Sequence, residues 1–279
     1  MLSDAQKIIS DSIAAVLPDE AVRRALTGRS FPGQVVLVAI GKAAWRMANT
    51  AYSVLGKQMD RGVVITKYDH SEGAIGDLEI IEAGHPVPDE NSVRGAKRAL
   101  ELVSGLTETD TVLFLISGGG SALFELPLGG ATLDDIAALT RKLLACGADI
   151  TEINAIRKHL SAVKGGRFAH ACSPAHVLSV VLSDVLGDPI DAIASGPAAP
   201  DSSSCQDVAR IMDKYALSVP EHIRQLLAQE TPKALERVET MITGNVTALC
   251  DAAASSAAQL GYTPLVLTTT MNCEAREAG

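Results

Sequence analysis

What this chain lacks narrows its possibilities first. It contains no C-x-x-C pair: Cys146, Cys172, Cys205, Cys250 and Cys273 are dispersed, so neither a zinc knuckle nor a local redox pair is expected. An odd cysteine count fits a disulfide scaffold poorly, and reduced thiols in a cytoplasmic protein are the expectation. No apolar run approaches the ~20 residues of a membrane span. Met1–Ser10 holds polar residues where a signal peptide would hold an apolar block. Cationic residues are scarce, 24 Lys and Arg against 33 Asp and Glu, for a formal charge of -9. That balance argues against an open nucleic-acid groove while still allowing a local basic pocket. No internal repeat or low-complexity linker interrupts the 279 residues. With 47% of residues apolar, the chain can build a sizeable core and is no disordered tail.

The residues that are present alternate between apolar β-type runs and helical spacing, which predicts an α/β fold with an open, mostly parallel sheet and helices on both faces. Strands are expected at Gln34–Ile40, Arg61–Thr66, Leu78–Glu82, Thr111–Ile116, His176–Leu182, Glu239–Ile242 and Pro264–Thr268. Helices are expected at Asp4–Leu17, Ala43–Leu55, Glu90–Val103, Leu133–Ala145, Glu152–Leu160, Cys205–Tyr215, Glu221–Ala228 and Val246–Leu260. The polar stretch Gln229–Glu239 reads as a surface excursion. Asn272–Ala278 reads as the opening of a helix, with Gly279 as a potential C-cap or a truncation point.

Chemistry is expected beyond the carboxyl ends of the strands. Ser117-Gly118-Gly119-Gly120-Ser121 follows the Thr111–Ile116 run; its glycines can turn the backbone and aim N–H groups at an anion. Neither a Walker A nor a G-x-G-x-x-G pattern fits it. Gly41-Lys42 follows an earlier strand, and the Lys42 ammonium suits a phosphoryl group or a carboxylate. Asn154, Arg157, Lys158 and Lys164 gather amide and cationic groups in an otherwise acidic chain. Asp184 and Asp188 end another strand, where a carboxylate can hold Mg²⁺ or accept a hydroxyl proton. Ser195 and the Gly196 N–H are expected over the same cleft. The histidines form no H-E-x-x-H, although His85 and His159 lie where either could touch a ligand. G-x-S-x-G is absent, which disfavours a serine hydrolase.

Six stretches, in order, resemble the glycerate 2-kinases that carry a MOFRL domain, older members of which were labelled hydroxypyruvate reductases. They are Ile40–Ala44, Glu82–Asp89, Ile116–Leu123, Ile153-Asn154 with Lys164–Gly166, Ser183–Asp188 and Ile193–Pro197. The resemblance implies a Rossmann-like N-terminal domain spanning residues 1–279, with a subdomain excursion near 200–240. It implies transfer of a phosphoryl group from ATP, with Mg²⁺, to the 2-hydroxyl of glycerate. In that family the catalytic lysine corresponds to Lys42, while the Ser117–Ser121 loop, the basic segment and the Ser183–Asp188 turn form the cleft wall. The resemblance also implies a second, MOFRL domain, which completes the site in the family and is expected to lie outside these 279 residues. Cys273 stands where members usually have glycine. A homodimer is left open. The alternatives are an NAD(P)-dependent hydroxypyruvate reductase and a non-catalytic ligand-binding or scaffold domain.

Overall fold

A computed structural model describes residues 2–271 and 273–278. Two helices open the chain, α1 (Leu2–Ala15) and α2 (Pro18–Leu26). Next come β1 (Val35–Ile40), α3 (Ala44–Leu55), β2 (Met59–Lys67), β3 (Glu79–Ala83), α4 (Glu90–Val103) and β4 (Thr111–Ile116). The chain continues through α5 (Gly120–Leu123), α6 (Leu133–Ala145), α7 (Ile150–His159), α8 (Arg167–Ala171) and β5 (His176–Leu182). It finishes with α9 (Cys205–Lys214), α10 (Glu221–Leu227), β6 (Val238–Gly244), α11 (Val246–Gln259) and the short α12 (Ala275–Ala278).

The six strands pair in parallel in the order β3-β2-β1-β4-β5-β6. Every residue of β1 and β4 is buried, because a parallel sheet is covered on both faces. Side-chain alternation separates those faces. Val36, Val38 and Phe114 pack with the Ala96 and Leu102 side of α4 and with Phe168 of α8. Val35, Leu37 and Leu115 pack with Leu26 of α2 and Met47 of α3. The Phe114, Phe124 and Phe168 rings meet at centroid distances of 4.8, 5.2 and 6.0 Å. A third core forms away from the sheet, where α6, α7, α9 and α10 bury Leu139, Ile156, Val208, Ile211 and Leu226 together.

The expected fold class and six of the seven strands stand; β4 and β5 keep their expected bounds and the other four shift by a residue or two at their ends. Pro264–Thr268 is a correction: it forms no strand, and Leu265 and Leu267 are 81% and 84% exposed. Its composition suits a strand, but its backbone meets no ladder among the described residues, and a strand requires one. Helix α2 was not foreseen, although Pro18 at its first turn is a helix-start signal. The expected helix at the end of the chain is reduced to α12, and Asn272 and Gly279 lie outside the described residues. No described helix is long and apolar enough to cross a membrane.

The strand order reverses between β1 and β4, so their outgoing loops diverge and leave a crevice above the sheet. The Gly-Lys turn lies in the first of those loops, and the Gly-Gly-Gly run spans the second and opens α5.

Candidate active site

The two loops are locked together before any ligand arrives. The Lys42 N–H donates to Gly118 O at 2.8 Å. Ser117 Oγ accepts from the Ala43 N–H at 3.0 Å and donates to Ile40 O at 3.3 Å. Gly41 has φ 114, and a side chain there would collide with Ser117; only glycine fits both the backbone and the space. The buried Ser117 hydroxyl is therefore a tie between loops, which corrects its expected role as a ligand donor.

Above that tie, chemistry converges. A Cβ on Gly118 would collide with the Asp184 carboxylate, which packs directly on the glycine backbone from the end of β5. A Cβ on Gly119 would stand 3.0 Å from His85 Cδ2 and 3.3 Å from Lys42 Cγ. Lys42, His85, Gly118, Gly119 and Asp184 thus share one small volume, supplied by four strand ends. Burial, and then the Lys42 charge, hold the His85 imidazole below its ordinary value, so it is neutral at physiological pH. Among the described residues, no protein acceptor takes the N–H of Gly118 or Gly119. The Gly120 N–H, by contrast, turns back to Ser117 O at 3.3 Å, which removes it from the expected anion cradle.

Two cavities meet here. One, of about 380 Å³, is walled by Val16, Leu182, Val246 and Leu249 and reaches Lys42. The other, of about 440 Å³, is polar and includes Ser121, Asn154, Arg157 and Ser195. Gly118 and Asp184 line both. In the polar cavity Ser121 Oγ and Ser195 Oγ are 2.7 Å apart, and Ser195 Oγ donates to Asn154 Oδ1 at 3.3 Å. Arg157 donates to Ser121 O at 3.1 Å and retains exposure at the rim. Ala194 and Ser195 both hold left-handed backbone, φ 52 and 61; two such residues in succession are costly and mark a shaped loop.

Other expected residues turn elsewhere. Lys164 is fully buried, 2.8 Å from Glu125 and donating to Phe124 O at 2.8 Å. It cannot reach a ligand, because an ammonium inside the protein must be spent on a partner. Lys158 borders the polar cavity, but its ammonium is tied to Asp201 at 3.0 Å and Asp191 at 3.3 Å. The Gly196 N–H bonds to Ile193 O at 2.9 Å, so it does not face the cleft. Asp188 lines neither cavity; its Oδ2 accepts from the Asn245 amide at 2.5 Å, and its buried Oδ1 has no protein partner among the described residues. His159 is buried at the end of α7, near Cys205 and Glu230 and away from both cavities, whereas His85 does meet the site. Sequence reasoning missed Glu125, Asp191 and Asp201. Glu125 alone had a signal, as a single carboxylate within the apolar run Leu123–Leu126.

Comparisons with known proteins bear on this geometry. A family described as "Domain of unknown function (DUF4147)" matches residues 4–228. A D-glycerate 2-kinase of Thermotoga maritima is 56% identical over 273 residues, covering 98% of this chain and 65% of that protein. A glycerate 2-kinase of Pyrococcus horikoshii is 38% identical, covering 98% of this chain and 66% of its own length. The crystal structure of a glycerate kinase from Thermotoga maritima superposes with a TM-score of 0.95 at 55% identity, over 99% of this chain and 66% of that one. The chain therefore spans about two thirds of the length of these relatives.

Proposed function

The chain belongs to the DUF4147 family, and from that premise we propose that it is the substrate-binding N-terminal portion of a kinase that phosphorylates D-glycerate at the 2-hydroxyl using ATP. The observation that carries this reading is the pair of unlike cavities meeting at Gly118 and Asp184, with Lys42 beside the junction. The apolar cavity suits a flat base, and the polar one a short hydroxy acid. Arg157 is the rim cation for the acid's carboxylate, and Asn154 and Ser121 offer partners for its hydroxyls. Lys42 and the free N–H groups of Gly118 and Gly119 then face the phosphoryl group between the two.

Phosphoryl transfer demands positioning and charge neutralisation more than covalent chemistry. The Lys42 ammonium supplies a compact positive charge at the point where negative charge crosses. Asp184 fits a hard cation: it is exposed, packs over a bare glycine, and makes no hydrogen bond or ion pair among the described residues. Mg²⁺ held there would offset phosphate charge. Neutral His85 can accept a proton at the same junction, a role supported by its position over Gly119, which Lys42 also flanks.

The sheet order is also that of dinucleotide-binding folds, so a reductase needs its own answer. The β1 turn is Gly41-Lys42-Ala43-Ala44, without the spaced glycines, and β2 ends in Thr66-Lys67, where the Thr66 hydroxyl donates to Gly41 O at 3.1 Å. Asp69 and Glu72 lie just past β2 in a cavity that Lys42 also lines, but without the spaced glycines the β1 turn cannot bring a pyrophosphate against the helix as that fold requires.

The test is ATP-dependent formation of 2-phosphoglycerate from D-glycerate, resolved from the 3-isomer by phosphorus NMR. It should be run on the 279-residue chain and on a chain extended to the relatives' length. Turnover is expected in the longer protein and far less in the shorter one, where the reactants stay hydrated. No product from the longer protein with Mg²⁺ saturating would sink the kinase reading, and nicotinamide oxidation with hydroxypyruvate would replace it.

A further inference from the structure

Away from the cleft, three ligand-type side chains converge from separate segments. His159 closes α7, Cys205 opens α9, and Glu230 lies in the connection before β6. One ring nitrogen of His159, Cys205 Sγ and a Glu230 carboxylate oxygen all lie within 4.8 Å of one another. His159 is fully buried, and its Nδ1 is held by Ala155 O at 2.9 Å. That bond fixes the proton on Nδ1 and leaves Nε2 with a lone pair. Nε2 is buried and has no partner among the described residues. A buried lone pair without a donor is uncommon in a folded protein and calls for a partner.

We propose that His159, Cys205 and Glu230 form a zinc site with three protein ligands and one position left for solvent. The donor set is imidazole, thiolate and carboxylate, a mixture that suits Zn²⁺ and not the all-oxygen shells of Mg²⁺ or Ca²⁺. Tetrahedral bonds of ~2.0–2.3 Å hold ligand atoms roughly 3.3–3.8 Å apart, so from separations of up to 4.8 Å the cluster contracts by at most about 1.5 Å. Glu230 is exposed and Cys205 half-buried; to turn toward the fixed imidazole, the Glu230 carboxylate gives up the Cys205 N–H, which donates to its Oε1 at 2.9 Å, or the Lys233 ammonium on its Oε2. The Ala155 carbonyl on Nδ1 is the outer-shell partner that metal-bound histidines usually have.

Neighbouring charges set the competition. Lys233 stands 2.9 Å from Glu230 Oε2, and Arg167 donates to Glu230 O at 3.5 Å; both oppose a cation. Asp201 acts on His159 with the favourable sign. Burial keeps the imidazole neutral, the ligating form, and burial together with Glu230 raises the Cys205 thiol. Zinc must therefore displace the thiol proton: the S–H bond, whose hydrogen points to Ala228 O at 3.1 Å, breaks, an S–Zn bond forms, and one proton enters the buffer. The ion would fasten the end of α7, the start of α9 and the Glu230 segment at one point. Ser202 and Ser203, just ahead of Cys205, line the polar cavity, so zinc braces the back of that wall. The site does not depend on the kinase reading.

The test is titration of chelator-treated protein with Co²⁺ and then Zn²⁺. One equivalent of Co²⁺ should give tetrahedral bands and a thiolate charge-transfer band, both bleached by Zn²⁺, with about one proton released per ion. Cys205→Ala should abolish the charge-transfer band and weaken zinc binding by more than about 100-fold, beyond the 10–100-fold cost of losing an outer-shell partner. Glu230→Gln should weaken it by at least ~10-fold. A variant with Cys146, Cys250 and Cys273 changed to serine should bind as the parent does. Zinc should raise the thermal midpoint of the parent and not of Cys205→Ala, and Mg²⁺ should do neither. Because Cys205 and Glu230 are accessible, these variants test the site without emptying the core at His159. A missing charge-transfer band in the parent, its survival in Cys205→Ala, or unchanged zinc affinity in Glu230→Gln would each overturn the site.

Discussion

Lys42 sits exposed after β1 beside the Gly119 backbone and His85, whereas Lys164 lies wholly buried against Glu125. Their environments give the same ammonium opposite duties. On the proposed kinase reading, in a chain extended to the relatives' length, Lys42→Ala should lower kcat by about 10²–10³, the usual cost of losing one preorganised charge donor, with the circular dichroism spectrum unchanged. Lys42→Arg should recover only part, since a planar fork cannot place its charge where a compact ammonium did. Near-normal kcat in folded Lys42→Ala would remove Lys42 from the mechanism. Lys164→Met should instead cost stability toward the low end of about 3–5 kcal/mol, by leaving the buried Glu125 carboxylate with only the looser Arg157 contact at 3.8 Å. Adding Glu125→Leu should restore most of it, as chemical denaturation of both variants would show. Burial pushes the Lys164 pKa down to about 8 from an ordinary 10.5. Between those values the unfolded chain holds more protons, so this group's penalty on the fold eases as pH rises through that window.

Loops and helix ends show how far the elements were legible. The unbroken apolar runs of β1 and β4 announced a doubly covered parallel sheet, and helices α4, α6, α7 and α9 begin at Asp89, Thr132, Asp149 and Ser204, each a reciprocal cap. The Gly41-Lys42 and Ser117–Ser121 turns were readable because their chemistry is local. What was hidden is pairing at a distance. Nothing in the basic segment Arg157–Lys164 tells that Lys158 is claimed by Asp191 and Asp201, or Lys164 by Glu125; only the fold brings those carboxylates in. The Pro264–Thr268 run failed for a related reason, since composition cannot supply a neighbouring strand. Gly118 tests the loop as a unit. A methyl group there meets the Asp184 carboxylate, so Gly118→Ala should displace Asp184 and cost roughly 10²-fold in kcat, the scale of a 1 Å misplacement. The thermal midpoint should hardly move. A variant with normal kcat and an unchanged Mg²⁺ requirement would separate Asp184 from the chemistry.

Across the whole molecule, acidic side chains join segments that the sheet alone does not hold. Asp19 of α2 meets Arg46 of α3, Glu239 of β6 meets Arg29 just after α2, and Glu152 of α7 meets Lys214 beside Tyr215 at the end of α9. Arg46 holds the Asp19 carboxyl below its ordinary value, and Arg29 does the same to Glu239. Glu152 is held at about 2 by the Lys214 ammonium and then the Tyr215 hydroxyl. Each of these groups has a folded pKa below its unfolded one. Each therefore contributes stability that is complete above the unfolded carboxyl value and lost as pH falls through the folded one. For Glu152 the window runs from its ordinary 4.5 down to about 2. The thermal midpoint should thus be level near neutrality and fall steadily with acid below about pH 5. Glu152→Gln should melt earlier than the parent at pH 7, by a few degrees at most, because the Lys214 ammonium is largely in solvent. The gap should narrow as pH falls toward 2, where about half of the parent carboxyl is protonated. High salt should shrink the ammonium's share and leave the Tyr215 hydrogen bond. Melting curves of both proteins from pH 2 to 8, at low and high salt, decide the matter. A gap that stays constant down to pH 2 would show that Glu152 acts through packing and not through its charge.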